Sequence, residues 1–290
     1  MPSRSKIMLC SGLVIALGLA LSWFVGSAMV AGEASEVAAP QPPARDVRIR
    51  SRDGLLLAGT YWPGRRPNSP AILLLHGVQS SRSSTADTAA WLARSGYAAL
   101  TIDFRGHGES SVAERTFGLH ESRDAEAAFQ WLKRRQKGAR IAIIGNSLGG
   151  AAALLGKSGP VPAEGLVLQA VYPDIRRAIR NRIAARLPAA PAYLLEPFLS
   201  FQSIPRLGVH PSDLSPLRAL RQYRGPVFVI GGEEDRSTPP AETRALFAAA
   251  PGEKQLWLVP GRGHAAMGQL RDADYRGRIA SFLEHSIGRP

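Results

Sequence analysis

The sequence predicts an α/β fold built on a mostly parallel sheet, and three observations carry that prediction. Short apolar runs of strand length, among them Ala71–Leu75, residues 141–144 and residues 227–230, alternate along the chain with stretches of helical composition. Runs that are apolar at every position suit strands buried on both faces. Breaks rich in Gly and Pro separate these segments, and no internal repeat or long low-complexity tract competes with the alternation. With 290 residues, 45% hydrophobic and 20% charged, the chain has enough apolar material for one large core.

Taken in order, residues 7–32 carry no charged residue, with Arg4 and Lys6 before them and Glu33 and Glu36 after. That length suits a spanning helix with its basic side cytoplasmic. A cleaved signal peptide is the alternative, with small residues at Gly26-Ser27-Ala28. Both readings export the rest of the chain, either anchored with its folded domain outside the cytoplasm or secreted or periplasmic after cleavage. Residues 1–32 are thus assigned as anchor or signal. Residues 33–44, rich in Ala, Pro and Glu, are assigned as a flexible tether.

The folded domain is expected over residues 45–290. Val47 and Ile49 alternate with Arg48 and Arg50, an Asp53-Gly54 turn follows, and a second strand runs through Tyr61, which makes a hairpin. Residues 63–70 form a turn-rich break. Ala71–Leu75 is a buried strand leading into His76-Gly77-Val78, and a helix over 85–94 stops at Gly96. Then come a strand over 97–104, a helix over 124–135, strands at 141–144 and 166–170, and a helix over 151–155 between those two. Residues 172–216 interrupt this rhythm with many prolines, the cluster Arg176, Arg177, Arg180, Arg182 and Arg186, and apolar residues such as Tyr193, Leu194 and Phe198. This stretch reads as an inserted cap. The pattern resumes with strands at 227–230 and 255–259 and helices at 241–249 and 275–284. Such alternation implies right-handed crossovers, with ligands at the carboxyl ends of the strands.

A net charge of +13 raises the question of a nucleic-acid partner. The arginines are dispersed, and no zinc-finger, helix-turn-helix or RNA-binding signature surrounds the one cluster, so no nucleic-acid partner is expected. An anionic membrane surface fits the charge and the N-terminal segment better. Cys10 is the only cysteine, so no intrachain disulfide is possible. No His-Glu-x-x-His spacing points to a metal. The oligomeric state is not fixed by the sequence.

The chemistry centres on Ser147, in Gly145-Asn146-Ser147-Leu148-Gly149, between a buried strand and a small-residue helix. Glycines on either side permit a sharp turn that exposes the serine oxygen, and the helix start beside it favours an oxyanion. A serine hydroxyl is a weak nucleophile unless a histidine takes its proton, and that histidine needs a carboxylate to fix its tautomer. Asp235 follows the strand at 227–230, and His264 follows the strand at 255–259. Glu233 and Glu234 flank the acid position, and Asp174 follows an earlier strand, so each is a rival carboxylate. His76 and His107 lie in Gly-containing turns, His120 and His285 in helical contexts, and His210 in the cap. Asp103 and Arg105 are expected to organise their own loop.

With these motifs in view, the chain from about Arg45 onward resembles the α/β-hydrolase superfamily of serine hydrolases. The segments that carry the likeness are SRDGLLLAGTYWP, LLLHG, DFRGHGES, GNSLGG, GGEEDRSTP and GRGH. They are similar to the branch containing monoacylglycerol lipases, esterases and proline-type aminopeptidases. The resemblance implies an α/β-hydrolase fold with Ser147 as nucleophile, Asp235 as acid and His264 as base. It also implies an oxyanion hole made by the backbone N–H groups of Val78 and Leu148. A small acyl substrate is expected, cleaved as a carboxylic ester through an acyl-enzyme, with no cofactor and no metal. Thioester or aminopeptidase chemistry on the same triad is the alternative, and a catalytically idle binding protein at a membrane is the reading from another class.

Overall fold

The computed structural model describes residues 4–290; the side chains of residues 4–11, 14 and 15 lie outside the description. Arg4 and Lys6, on which the membrane reading partly rests, are among these, as is Cys10. The chain begins with α1 (Arg4–Val30) and a hairpin of β1 (Arg45–Arg50) and β2 (Leu56–Trp62). It continues through β3 (Ala71–Leu75), α2 (Ser83–Arg94), β4 (Ala98–Ile102), α3 (Glu121–Arg135), β5 (Ile141–Asn146), α4 (Leu148–Leu154) and β6 (Gly165–Gln169). Three helices follow in the predicted cap, α5 (Ile175–Ala184), α6 (Ala189–Ser200) and α7 (Ser203–Leu207), with a 3₁₀ turn at Pro211–Asp213. The rest is α8 (Pro216–Leu220), β7 (Val227–Gly232), α9 (Pro240–Ala249), β8 (Lys254–Val259), α10 (His264–Met267) and α11 (Ala273–Ile287).

The eight strands form one sheet in the order β1-β2-β4-β3-β5-β6-β7-β8. β2 runs antiparallel to both neighbours, and every pairing from β4 to β8 is parallel. The all-apolar strands have this consequence: alternate residues feed two separate cores. Leu73, Leu75, Ile141, Ile143, Leu166 and Leu168 face one way, onto Ala125, Phe129 and Leu132 of α3 and Leu154 of α4. Ile72, Leu74, Ala142, Ile144, Val167 and Phe228 face the other way, onto Ala89 and Leu92 of α2 and Ile279, Phe282 and Leu283 of α11. Helices therefore cover both faces, and the carboxyl ends of the parallel strands are left for a site.

One strand differs in extent from the expectation. β4 ends at Ile102, short of Phe104, because the Asp103 carboxylate turns back to accept the N–H groups of Arg82 at 2.6 Å and Glu109 at 3.0 Å. The segment 33–44 contains no helix or strand, and it lies along the loop after β4. There Glu33 and Ser35 donate N–H groups to the carbonyls of Gly106 and Gly108 at 3.0 and 2.8 Å. Among the described residues, no helix is long and apolar enough to cross a membrane.

Candidate active site

β5 delivers Ser147 to the carboxyl edge of the sheet, and α4 begins at the next residue. Reversing direction so quickly leaves Ser147 at φ 48° and ψ −106°, a conformation that costs a residue with a side chain about 1–3 kcal/mol. The two motif glycines make the turn possible. A Cβ on Gly145 would lie 2.6 Å from the Gly150 backbone, and one on Gly149 would lie 2.3 Å from the Leu75 carbonyl oxygen. The turn is held by the Ser147 N–H, which donates to the Gln169 carbonyl at 2.8 Å. Ser147 Oγ is buried and has no hydrogen-bond partner among the described residues. It lines a cavity of about 470 Å³ together with Val78, Leu148, Tyr172 and Ile175.

The loop after β3 passes beside this serine, since a Cβ on Gly77 would lie 3.8 Å from Ser147 Cβ. Two histidines hold that loop. His76 is fully buried; its Nε2 accepts the Phe104 N–H at 3.1 Å, which assigns the proton to Nδ1, donating to the Gly77 carbonyl at 2.7 Å. Burial, with His107 close by, pushes its pKa down to about 3, so the ring is neutral. His107 Nε2 accepts the Gln79 N–H at 3.3 Å, while its Nδ1 donates to the Arg105 carbonyl at 2.9 Å. The segment is thus pinned on both sides of Val78. Among the described residues, the N–H groups of Val78 and Leu148 donate to no protein acceptor, so both remain free for a ligand oxygen.

Asp235 follows β7 and is buried. Its Oδ1 accepts the N–H groups of Ser237 and Thr238, each at 2.8 Å, and its Oδ2 accepts from His264 Nδ1 at 2.8 Å. Three bonds fix the carboxylate, and the imidazole is left with Nε2 for proton transfer. His264 opens α10, which lies against the end of β5 and the Ser147 turn: the Gln169 side-chain amide donates to the Met267 carbonyl at 3.5 Å, and a Cβ on Gly268 would lie 2.8 Å from Asn146 Nδ2. Of the three side chains singled out in the sequence, Asp235 and His264 are in direct contact. Ser147 stands at a strand end of the same sheet edge without a hydrogen bond to His264. Such contacts commonly close only when substrate is bound.

The rivals lie elsewhere. Asp174 caps α5 by accepting the Arg177 N–H at 2.9 Å, and Glu233 and Glu234 are exposed. His285 pairs with Glu253 at 2.8 Å, and His210 caps the 3₁₀ turn. Among the described residues, no group of His, Cys, Asp and Glu is arranged to hold a metal ion. The cap arginines are divided between structure and cavity. Arg176 and Arg180 both pair with the buried Glu196, at 2.9 and 3.2 Å, whereas Arg182 and Arg186 line the cavity that contains Ser147. No local motif singles out Arg82. It is 2% exposed, pairs with Asp103 and Glu109, and anchors the start of α2 beside the Val78 loop. As expected, Arg105 organises its own loop, joined to Asp124 at 2.6 Å and to Asp53 at 2.7 Å.

The fold has relatives among known proteins. An uncharacterized protein of Mycobacterium tuberculosis is 32% identical over 237 residues, covering 81% of this chain and 77% of that protein. The lysophosphatidylserine lipase ABHD12 of Danio rerio is 25% identical over 202 residues, covering 68% of this chain and 51% of that protein. The solved esterase Pf2001 of Pyrococcus furiosus superposes with a TM-score of 0.70 at 24% identity, over 89% of this chain and 99% of its own. A family model described as alpha/beta hydrolase family matches residues 72–276. The chain, with the eight-stranded sheet and flanking helices of that fold, belongs to the alpha/beta hydrolase family.

Proposed function

We propose that this hydrolase cleaves carboxylic esters through an acyl-enzyme on Ser147, with His264 as general base and then acid, Asp235 as its orienting carboxylate, and the Val78 and Leu148 N–H groups as oxyanion donors. The observation that carries the reading is the 2.8 Å Asp235–His264 bond at the sheet edge where a strained, buried Ser147 Oγ stands without a hydrogen-bond partner among the described residues. In this scheme His264 Nε2 takes the Ser147 hydroxyl proton as Oγ bonds to the acyl carbon. Negative charge moves to the carbonyl oxygen, where two fixed N–H donors favour it; losing one such donor costs about 3–4 kcal/mol in transition-state stabilisation. The ester C–O bond then breaks, and the leaving alcohol takes the proton from His264. Water repeats the sequence to free the acid.

An apolar acyl chain suits the cavity, whose walls include Tyr172, Ile175 and Ile179, and cationic Arg182 and Arg186 suit a substrate with an anionic or strongly polar head. The similarity to a lysophosphatidylserine lipase supports an amphiphilic ester of this kind. We also place the enzyme at a membrane outside the cytoplasm. Support comes from the uncharged residues 7–32 and from Leu194 and Phe198 on α6, which are 71% and 52% exposed. Acyl esters, acyl thioesters and aminoacyl amides tested side by side on wild type and Ser147→Ala give the decisive comparison. Ester turnover that disappears with Ser147 supports the reading, whereas turnover of amides alone would assign a peptidase.

A further inference from the structure

We infer that the N-terminal helix forms a wall of the acyl-binding cavity and that Met29 sets the length of chain the cavity accepts. The inference rests on the hydrolase reading above and extends it to a segment with no part in the triad.

Met29, in the last turn of α1, lines the cavity that contains Ser147. It also lines a second, smaller cavity of about 40 Å³ under the junction of α1 with the cap. Phe117, Ile175 and Ile179 are likewise common to both. These shared residues stand between the two cavities, so apolar side chains run from the Ser147 cavity along α5 to Met29, and the smaller cavity on the other side of Met29 is lined in part by Gly26, Leu199 and Leu207. A chain esterified at Ser147 would reach Met29 as it extends along these side chains. Methionine is suited to such a stop, because its flexible thioether adapts to the tip of an apolar ligand.

The helix is fastened to the cap rather than laid loosely on it. Gln202 Nε2 donates to the Ser22 carbonyl and hydroxyl oxygens, both at 2.9 Å. Arg206 donates to Ser27 Oγ at 2.7 Å and to the Trp23 carbonyl at 3.0 Å, and its guanidinium lies 3.8 Å from the centre of the Trp23 ring. Gly26 allows the close approach, since a Cβ there would lie 2.1 Å from Gln202 Oε1. Past the helix end, the Arg115 N–H donates to the Val30 carbonyl at 2.8 Å. Cleavage at Gly26-Ser27-Ala28 would remove Ser22 and Trp23 from Gln202 and Arg206 and open the far wall. Retention of α1 in the working enzyme is therefore part of the inference.

The test uses the full chain in detergent and reads kcat/KM for p-nitrophenyl esters from acetate to palmitate. Met29→Trp should lower the ratio of long-chain to short-chain kcat/KM by about tenfold or more, and Met29→Ala should move the preferred chain to a longer one. Thermal melting establishes that each variant is folded, and if the Trp variant fails to fold, the opposite shift in the Ala variant carries the test. Profiles parallel to wild type in folded variants that still turn over ester would overturn the role of Met29 and leave the hydrolase reading intact. Absence of ester turnover in the wild-type chain would remove the hydrolase reading and this inference together.

Discussion

At the scale of single residues, Ser147 and its surroundings give the sharpest expectations. Ser147→Ala removes the proposed nucleophile and keeps a Cβ at the same positive φ, so kcat/KM should fall by at least about a thousandfold with little change of melting temperature. Asp235→Asn keeps the shape but changes the tautomer of His264, and kcat should fall by about 10⁴-fold. His76 yields a pH expectation. Its folded pKa of about 3 lies below the ordinary 6.5, so its full contribution to stability is present above pH 6.5. Below that pH the unfolded chain takes up a proton that the folded chain refuses, and stability should fall between pH 6.5 and about 3, by about 1.4 kcal/mol for each pH unit. Urea unfolding at pH 7 and pH 5 checks this, and a folded His76→Gln variant should show a shallower loss. Ser147, Asp235 and His264 were legible in the sequence because each follows a strand-forming run. The Gln79–His107 bond was not, because it joins residues 28 apart through a fold that local pattern does not encode.

At the scale of elements, apolar runs located the strands, and turn residues located most boundaries. Ala71–Leu75 coincides with its expectation, since all five residues are buried. The end of β4 was not legible, because the Asp103 side chain, rather than backbone preference, breaks the strand there. The cap was legible as an interruption, but its helices depend on pairing that periodicity does not report. Arg176 and Arg180, from α5, hold the Glu196 carboxylate of α6. Burial opposes the charge of Glu196, yet these hydrogen bonds keep its carboxyl below the ordinary range. Glu196→Gln should destabilise the protein by about 1–2 kcal/mol, a modest figure because Arg176 and Arg180 are partly exposed. Gly149→Ala should cost more, at least about 2 kcal/mol, because its methyl group would meet the Leu75 carbonyl. Thermal or chemical unfolding of both variants checks the order.

At the scale of the whole molecule, one sheet with a core on each face fixes three strand ends relative to one another, and the proposed chemistry depends on that rigidity. The excess of positive charge and the exposed apolar side chains of α1 and α6 lead to an expectation about location. The 290-residue chain should bind vesicles containing anionic lipid more strongly than neutral vesicles, and added salt should weaken the difference. Equal binding to both vesicle types would remove the electrostatic part of the membrane proposal. Composition made the basic charge visible, but only the folded chain separates Arg176 and Arg180, paired with Glu196, from Arg182 and Arg186 at the cavity. The central claim is that Ser147 carries the acyl group, and labelling with a fluorophosphonate followed by peptide mass mapping tests it most directly. The account predicts a single adduct on the peptide containing Ser147, absent from Ser147→Ala and diminished in His264→Ala. A folded wild-type protein that takes no label, or takes it on another residue, would contradict the account.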